Sequence, residues 1–433
     1  MHIRSLLIIL LTLIPITLKA DRFSEIAEAH NVLDRMQLMW SNSPFPMKLK
    51  VYGLVKNEGI FDTRQNFALR SGEFLYFPLQ KLPDVVGRDI NGRGDFGMYA
   101  IESRVDIEAI GPDIGPMKSR ALVEADFFGR TELTTNTFNV REGYLELTSE
   151  NFNFLAGQAY HPICIPTESP DTISYNCGVP IAPFALSPQF RLLYHDSAME
   201  FLFASIGFLG DRPFGLAGGA DKVFRDALMP DFFLMGKFKL DDENYLGIGF
   251  DIYRLIPRLA TNNNYKEDYG VTCISTDFFI RFQFNDFVTY SKLVYSQDAA
   301  AYELIGGIAI HSIDPVTDLR TWVPLQTLSW YVEFIKEGYL EPGLFLGIVK
   351  NLGATKTIVP GSESLVTLFG IGINIDTVFR VAPRLRWYVN SFIVGVEYEY
   401  TRAAYGTPDN YGRIINTVPV ANNRFLFATY YVF

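Results

Sequence analysis

From Met47 onward, apolar and polar residues alternate with a period of two, in stretches of about ten residues separated by clusters of Gly, Asn, Asp and Pro. In FGMYAIESRVDIEA, Glu102, Arg104, Asp106 and Glu108 share one face, and Tyr99, Ile101, Val105 and Ile107 the other. In MKSRALVEADFFGR, Arg120, Glu124, Asp126 and Arg130 oppose Ala121, Val123, Ala125 and Phe127. Arg281 and Gln283 alternate with Ile280, Phe282 and Phe284, and Arg380, Arg384 and Arg386 oppose Phe379, Val381, Leu385 and Trp387. Each stretch therefore predicts a strand with one wet face and one dry face.

Counting along the chain predicts strands near 47–60, 96–110, 118–131, 138–149, 152–159, 188–195, 199–208, 230–240, 245–254, 273–284, 286–296, 302–312, 326–336, 340–350, 365–375, 379–388, 391–402 and 422–433, eighteen in all. Tight connections such as Thr148–Asn151, Asp241–Asn244 and Asn285–Asp286 fit turns on one side, and long ones at 61–95, 160–187, 209–229, 255–272 and 403–421 fit loops on the other. Between 312 and 378 the long-and-short rhythm breaks, so the count there is strained and sixteen stays open.

A soluble sandwich alternates too, but a soluble chain of this length divides into domains joined by linkers, and none is evident. One uninterrupted strand series with a dry face and a charged face predicts a closed transmembrane antiparallel β-barrel with a polar lumen. No apolar run after residue 20 approaches the roughly 20 residues of a helical membrane span. The composition agrees: 48% apolar, 15% aromatic and only 20% charged residues.

Ahead of the barrel, residues 1–20 carry a weakly basic start (His2, Arg4), an apolar stretch from Leu6 to Leu18 and Lys19-Ala20, the pattern of a secretion signal. Residues 21–46 then form a periplasmic segment with one helical stretch, 21–42, in which Ile26, Leu33 and Trp40 are spaced by sevens, as are Ala29 and Met36. Such a seam fits either self-association or packing on the chain's own barrel. Ser43-Pro44-Phe45-Pro46 ends it. Domain boundaries are thus 1–20, 21–46 and 47–433.

The net charge is −10, and loss of Arg4 and Lys19 with the signal makes it −12, which argues against nucleic acid as a partner. Of three cysteines, Cys164 and Cys177 share a Pro-rich segment and are either a disulfide or two buried thiols. Cys273 is left over, and no spacing suggests a metal or other cofactor.

The chain ends on RFLFATYYVF, with Phe425, Phe427, Tyr431 and Phe433 on one face. This resembles the C-terminal signal read by the barrel-assembly machinery of bacterial outer membranes, with Thr429 departing from it. The helix seam, LKVYGLVKNEGIFDTRQ, VEADFFGR, REGYLEL with FLAGQAYHP, SPQFRLLYH and VANNRFLFATYYVF together resemble the DcaP-like trimeric outer-membrane porins, in the right order over most of the chain. The resemblance implies sixteen strands, a homotrimer in outer-membrane lipid, and passive diffusion of small hydrophilic, often anionic solutes such as dicarboxylates.

A selective lumen needs charges at a constriction. The segment 161–187 carries Pro162, Pro166, Pro170, Pro180 and Pro183 and either folds inward to narrow the lumen or stays a surface loop; Glu168 and Asp171 are its candidate acids. On the wall, Arg120, Arg191, Arg281, Arg380, Arg384 and Arg386 are candidate solute-binding cations, since a guanidinium holds a carboxylate bidentately. Pairing with Glu102, Glu124, Asp126, Glu397 or Glu399 would instead make them wall structure. Among catalytic arrangements only His195-Asp196-Ser197 suggests a triad, and neighbours on a strand or turn point apart. The remaining alternative is a structural or adhesive barrel without a conducting pore.

Overall fold

The computed structural model describes residues 47–129, 131–208, 220–362 and 365–433. The signal 1–20 and the helix expected within 21–46 lie outside them.

The barrel runs β1 (Lys48–Asp62), β2 (Asp95–Tyr99 continued by Arg104–Ile110), β3 (Lys118–Asp126), β4 (Asn139–Thr148), β5 (Phe152–Tyr160), β6 (Leu186–His195), β7 (Met199–Ile206) and β8 (Asp231–Lys239). It continues through β9 (Tyr245–Leu255), β10 (Val271–Phe284), β11 (Phe287–Gln297), β12 (Arg320–Lys336), β13 (Leu340–Ala354), β14 (Ile375–Val389), β15 (Phe392–Pro408) and β16 (Ile414–Val432). Every neighbour is antiparallel, and β16 pairs with β1 from Leu54↔Val432 to Asp62↔Arg424, so the sheet closes with sixteen strands. Closure removes the edges that lipid could not satisfy. No described helix is long and apolar enough to cross a membrane.

Two of the eighteen expected strands, 302–312 and 365–375, do not span the wall. Gly306–Ile313 pairs with Arg320–Pro324, the part of β12 beyond its contact with β11, and with Leu368–Ile371. Its first five residues are all buried, so it has no lipid face. Gly307 and Gly370 sit opposite each other at φ of +152° and +154°, and a Cβ on either would lie 1.9 Å from the other strand's carbonyl. The close pairing therefore requires glycine at both positions. The expected loop 403–421 is likewise mostly strand, since β15 and β16 extend into a hairpin that turns at 409–413.

Along the wall, the dry face forms the lipid belt. Phe201, Phe203, Leu234, Phe250, Phe278, Trp330, Leu385 and Phe425 are all exposed outward. Phe152, Phe238, Phe284, Phe287, Trp387, Phe392, Tyr431 and Phe433 cluster at the strand ends nearest the short turns, as an interfacial aromatic girdle does. The first and last strands meet at Gly53, whose N–H and carbonyl exchange 3.0 Å hydrogen bonds with Phe433.

Two long connections fold into the barrel. In loop 63–94 a hairpin, Asn66–Leu69 with Phe74–Pro78, buries Phe74, Leu75, Tyr76 and Phe77. Loop 161–185 packs Tyr175, Val179, Ile181 and Ala182 into the same cluster, together with Phe345, Val349, Val378, Ala382 and Ala403 of the wall. A second apolar cluster lines β7–β11, where Ile163, Cys164, Val223, Phe224 and Tyr302 cover Ala204, Phe233, Tyr253 and Cys273.

Candidate functional site

Loop 161–185 folds inward, and its polar contacts explain where it sits. Its first turn is capped by His161, whose Nδ1 accepts the Ile163 N–H, while Lys292 on β11 donates to the Ile163 carbonyl at 2.8 Å. At its tip the loop's own N–H groups point at wall carboxylates. Glu397 accepts from Ile173 at 2.7 Å and Ser174 at 3.1 Å, Glu333 accepts from Asp171 at 2.7 Å, and Asn176 donates to Glu399 at 2.9 Å. These are charge-assisted bonds in a dry setting, stronger than neutral ones. Two strands further round, Lys56 on β1 donates to the Ile173 carbonyl at 2.8 Å.

The β14 arginines face the lumen as the alternation requires, but they differ in what they touch. Arg380 is wholly buried. It pairs with Glu399 at 2.9 Å and donates to Thr401, to the Val179 carbonyl at 2.6 Å and to the Leu75 and Tyr76 carbonyls. It thus pins both inward loops to the wall and has no face toward a solute. Arg384 pairs with Glu333 and reaches Asp171 at 3.4 Å. Arg386 clasps Asp171 with both terminal nitrogens and lies 3.1 Å from Glu341. Asp171 is the open end of this cluster, its side chain 46% exposed against 0% for Arg384 and 10% for Arg386.

The other arginines stand elsewhere on the wall, on β3, β6 and β10. Arg120 lies between Glu108 at 2.7 Å and Glu146 at 3.0 Å and keeps a third of its side chain exposed. Arg191 is partly buried and donates to Gln189 and the Tyr160 carbonyl. Arg281 sits at the turn side of β10, bonded to Glu243 and Gln283. Glu168 ends a short turn, Pro166–Glu168, in the inward loop. The structure therefore gathers Arg384, Arg386 and Asp171 into one cluster and leaves Arg120, Arg191 and Arg281 apart.

The disulfide left open by the sequence is not formed, and Cys164 and Cys177 are both free thiols. The loop's course separates them. Cys164 turns back to the His161 and Ala185 carbonyls beside Lys292 and Arg191, whereas Cys177 lies near Glu102, Arg104 and Arg141. Burial pushes both thiols up to about 12. At the turn after β6, Asp196 is taken by the N–H groups of Ala198 and Met199 and by Tyr194, so it does not orient His195.

Arg141 escaped the sequence pattern. A bulge in β4 opposite Glu124 and Ala125 breaks the alternation and turns Arg141 inward, onto Glu124 at 2.6 Å and Asp126 at 3.1 Å. The inward hairpin at 66–78 was also unforeseen, although FLYFP, an apolar run without alternation, is the mark of a segment buried on both faces.

No family model and no curated protein sequence matches the chain. Among solved structures, the outer membrane channel DcaP of Acinetobacter baumannii superposes with a TM-score of 0.67 at 15% identity, over 89% of this chain and 97% of that one. OmpT of Vibrio cholerae, an outer membrane protein in a trimer form, has a TM-score of 0.52 at 11% identity, over 89% and 99%. The anion-selective porin from Comamonas acidovorans has 0.50 at 8%, over 90% and 100%. At these identities the likeness is one of fold: this chain is a closed sixteen-stranded antiparallel barrel, the architecture that its sequence resemblance to the DcaP-like porins implies.

Proposed function

We propose that this barrel is an outer-membrane porin for passive diffusion of small hydrophilic, anionic solutes of the dicarboxylate kind, assembled as a homotrimer. The terminal strand ending in Phe433 would be what the barrel-assembly machinery reads. The observation that carries the proposal is the inward loop seated on an arginine fork that already holds a carboxylate, that of Asp171. A guanidinium fork suited to Asp171 suits a solute carboxylate equally well. Because Asp171 is the exposed member, an arriving carboxylate would exchange with it. That competition keeps binding weak enough for release, as conduction requires. Catalysis forms no part of this proposal.

Single-channel recording in planar bilayers under a salt gradient tests it. The expected result is conductance in triplets with an anion-leaning reversal potential, increased in Asp171→Asn and diminished in Arg384→Ala with Arg386→Ala. Cation preference that survives Asp171→Asn would remove the anionic part of the proposal.

One observation favours a second reading, a structural barrel without a conducting pore. The inward loops bring Phe74, Tyr76, Phe77, Phe128 and Tyr175 together inside the wall. Absence of conductance from a correctly folded trimer would establish that reading over the first.

A further inference from the structure

Beside the seam where β1 meets β2, three carboxylates from three different segments converge. Glu58 projects inward from β1, Glu102 from the break between the two parts of β2, and Glu73 from the inward hairpin of loop 63–94. One oxygen of each lies within 4.8 Å of the others. Glu58 and Glu73 are all but fully buried. One ammonium answers them: Lys56 pairs with Glu102 and lies 3.0 Å from Glu58. The nearby guanidinium of Arg424 is taken by Asp62 and by the main-chain carbonyls of Gly72 and Glu73.

Glu73 is the telling member. No N–H or hydroxyl of the described residues donates to either of its carboxylate oxygens, and it forms no ion pair among them, yet it is completely buried. Its carboxyl group meets that of Glu58 within hydrogen-bonding range, a contact that two bare carboxylates cannot keep by themselves. Two facing carboxylates need a proton or a cation between them, because an uncompensated buried charge costs several kcal/mol. Three carboxylates against one ammonium leave two negative charges. An all-oxygen donor set, two of its members on irregular backbone, matches the flexible coordination of calcium better than the rigid octahedron of magnesium or the nitrogen and sulfur preference of zinc.

We propose that Glu58, Glu73 and Glu102 bind one Ca2+ ion, which fastens the inward hairpin to the barrel wall. The site does not depend on whether the barrel conducts. A second cluster, His161 with Asp231 and Asp251, has similar spacing but different chemistry. There Nδ1 of His161 accepts the Ile163 N–H, so Nε2, the nitrogen facing the carboxylates, carries the proton and donates to Asp231 rather than to a metal.

The test uses the full refolded protein in detergent, stripped with EDTA and then dialysed against Ca2+, with bound metal and unfolding temperature both measured. The expected result is one high-affinity equivalent of Ca2+ per chain and a rise in unfolding temperature of about 5 °C at saturation. Glu73→Gln should fold, as judged by its circular dichroism and heat-modifiable migration, but lose both the equivalent and the rise. Failure of the folded wild-type protein to retain Ca2+ would overturn the proposal whatever the variants do. Retention that is unchanged in both Glu73→Gln and Glu102→Gln would overturn the assignment to this site. Equal stability of Glu73→Gln and the wild type, with no response of either to Ca2+, would identify a proton shared between Glu58 and Glu73 in place of the ion.

Discussion

The two walls of the barrel follow one sequence rule and reach different ends. On β3 to β8 the strands are 8 to 10 residues long, and although Asp126, Arg141 and Asp231 are buried, Arg120, Glu142, Glu146, Arg191, Glu200 and Lys237 keep part of their surface free. On β12 to β16 the strands are 15 to 19 residues long, and Glu333, Arg380, Arg384, Glu397, Glu399 and Arg424 are buried beneath the two inward loops. A lumen-facing arginine is thus two different objects. Where water reaches it, it is a cation available to a passing ion. Beneath a loop, it is a fastener whose donors are spent on main-chain carbonyls and fixed carboxylates.

The most severe way to break this comparison is to remove the fastener. Arg380→Met would leave Glu399 buried without its cation and strip partners from the Val179, Leu75 and Tyr76 carbonyls. A loss of about 3–5 kcal/mol in stability is expected, read from urea unfolding in detergent. An unaffected midpoint would mean that the long wall is not a clamp. Arg386→Ala should cost less, about 1 kcal/mol, since Asp171 can turn to water, and its main effect should be a larger and noisier conductance. Arg120→Ala on the short wall should change stability by under about 0.5 kcal/mol while moving the reversal potential toward cations. A large loss of stability there would erase the distinction between the walls. The smallest effect concerns the thiols. With burial holding Cys164 and Cys177 protonated up to about pH 12, folded protein at pH 8 should resist maleimide and become labelled on unfolding, as mass spectrometry would register.

The barrel itself was legible in the sequence because lipid and lumen impose a period of two on most of each strand. All of Arg380, Arg384 and Arg386 face inward as that period requires. It misled where a segment meets neither lipid nor open lumen. Gly306–Ile313 reads as a strand and is one, but it pairs with the end of β12 that runs past β11 and its first five residues are buried, so the local pattern could not reveal that it spans nothing. Arg141 was hidden by a single-residue bulge, which shifts the alternation without leaving a trace in composition. The candidate cluster was half legible. Asp171, Arg384 and Arg386 could be named from their segments, but their union depends on how far a loop of this length reaches across the lumen. No local rule supplies that reach. Glu73 was invisible for the same reason: its significance arises only when the hairpin that carries it has folded inside.

The pairing of Gly53 with Phe433 has a consequence for the order of events during biogenesis. A ribosome makes β1 before β16, so the first strand must wait for the fourteen strands between them before its partner exists. Throughout that interval an unfinished sheet presents open edges, and a pairing so remote in sequence is slow to find. Strand β1 is therefore the part of this molecule most in need of a guardian between the ribosome and the membrane. Loss of residues 424–433 would remove every pair between β16 and β1 and so forfeit closure.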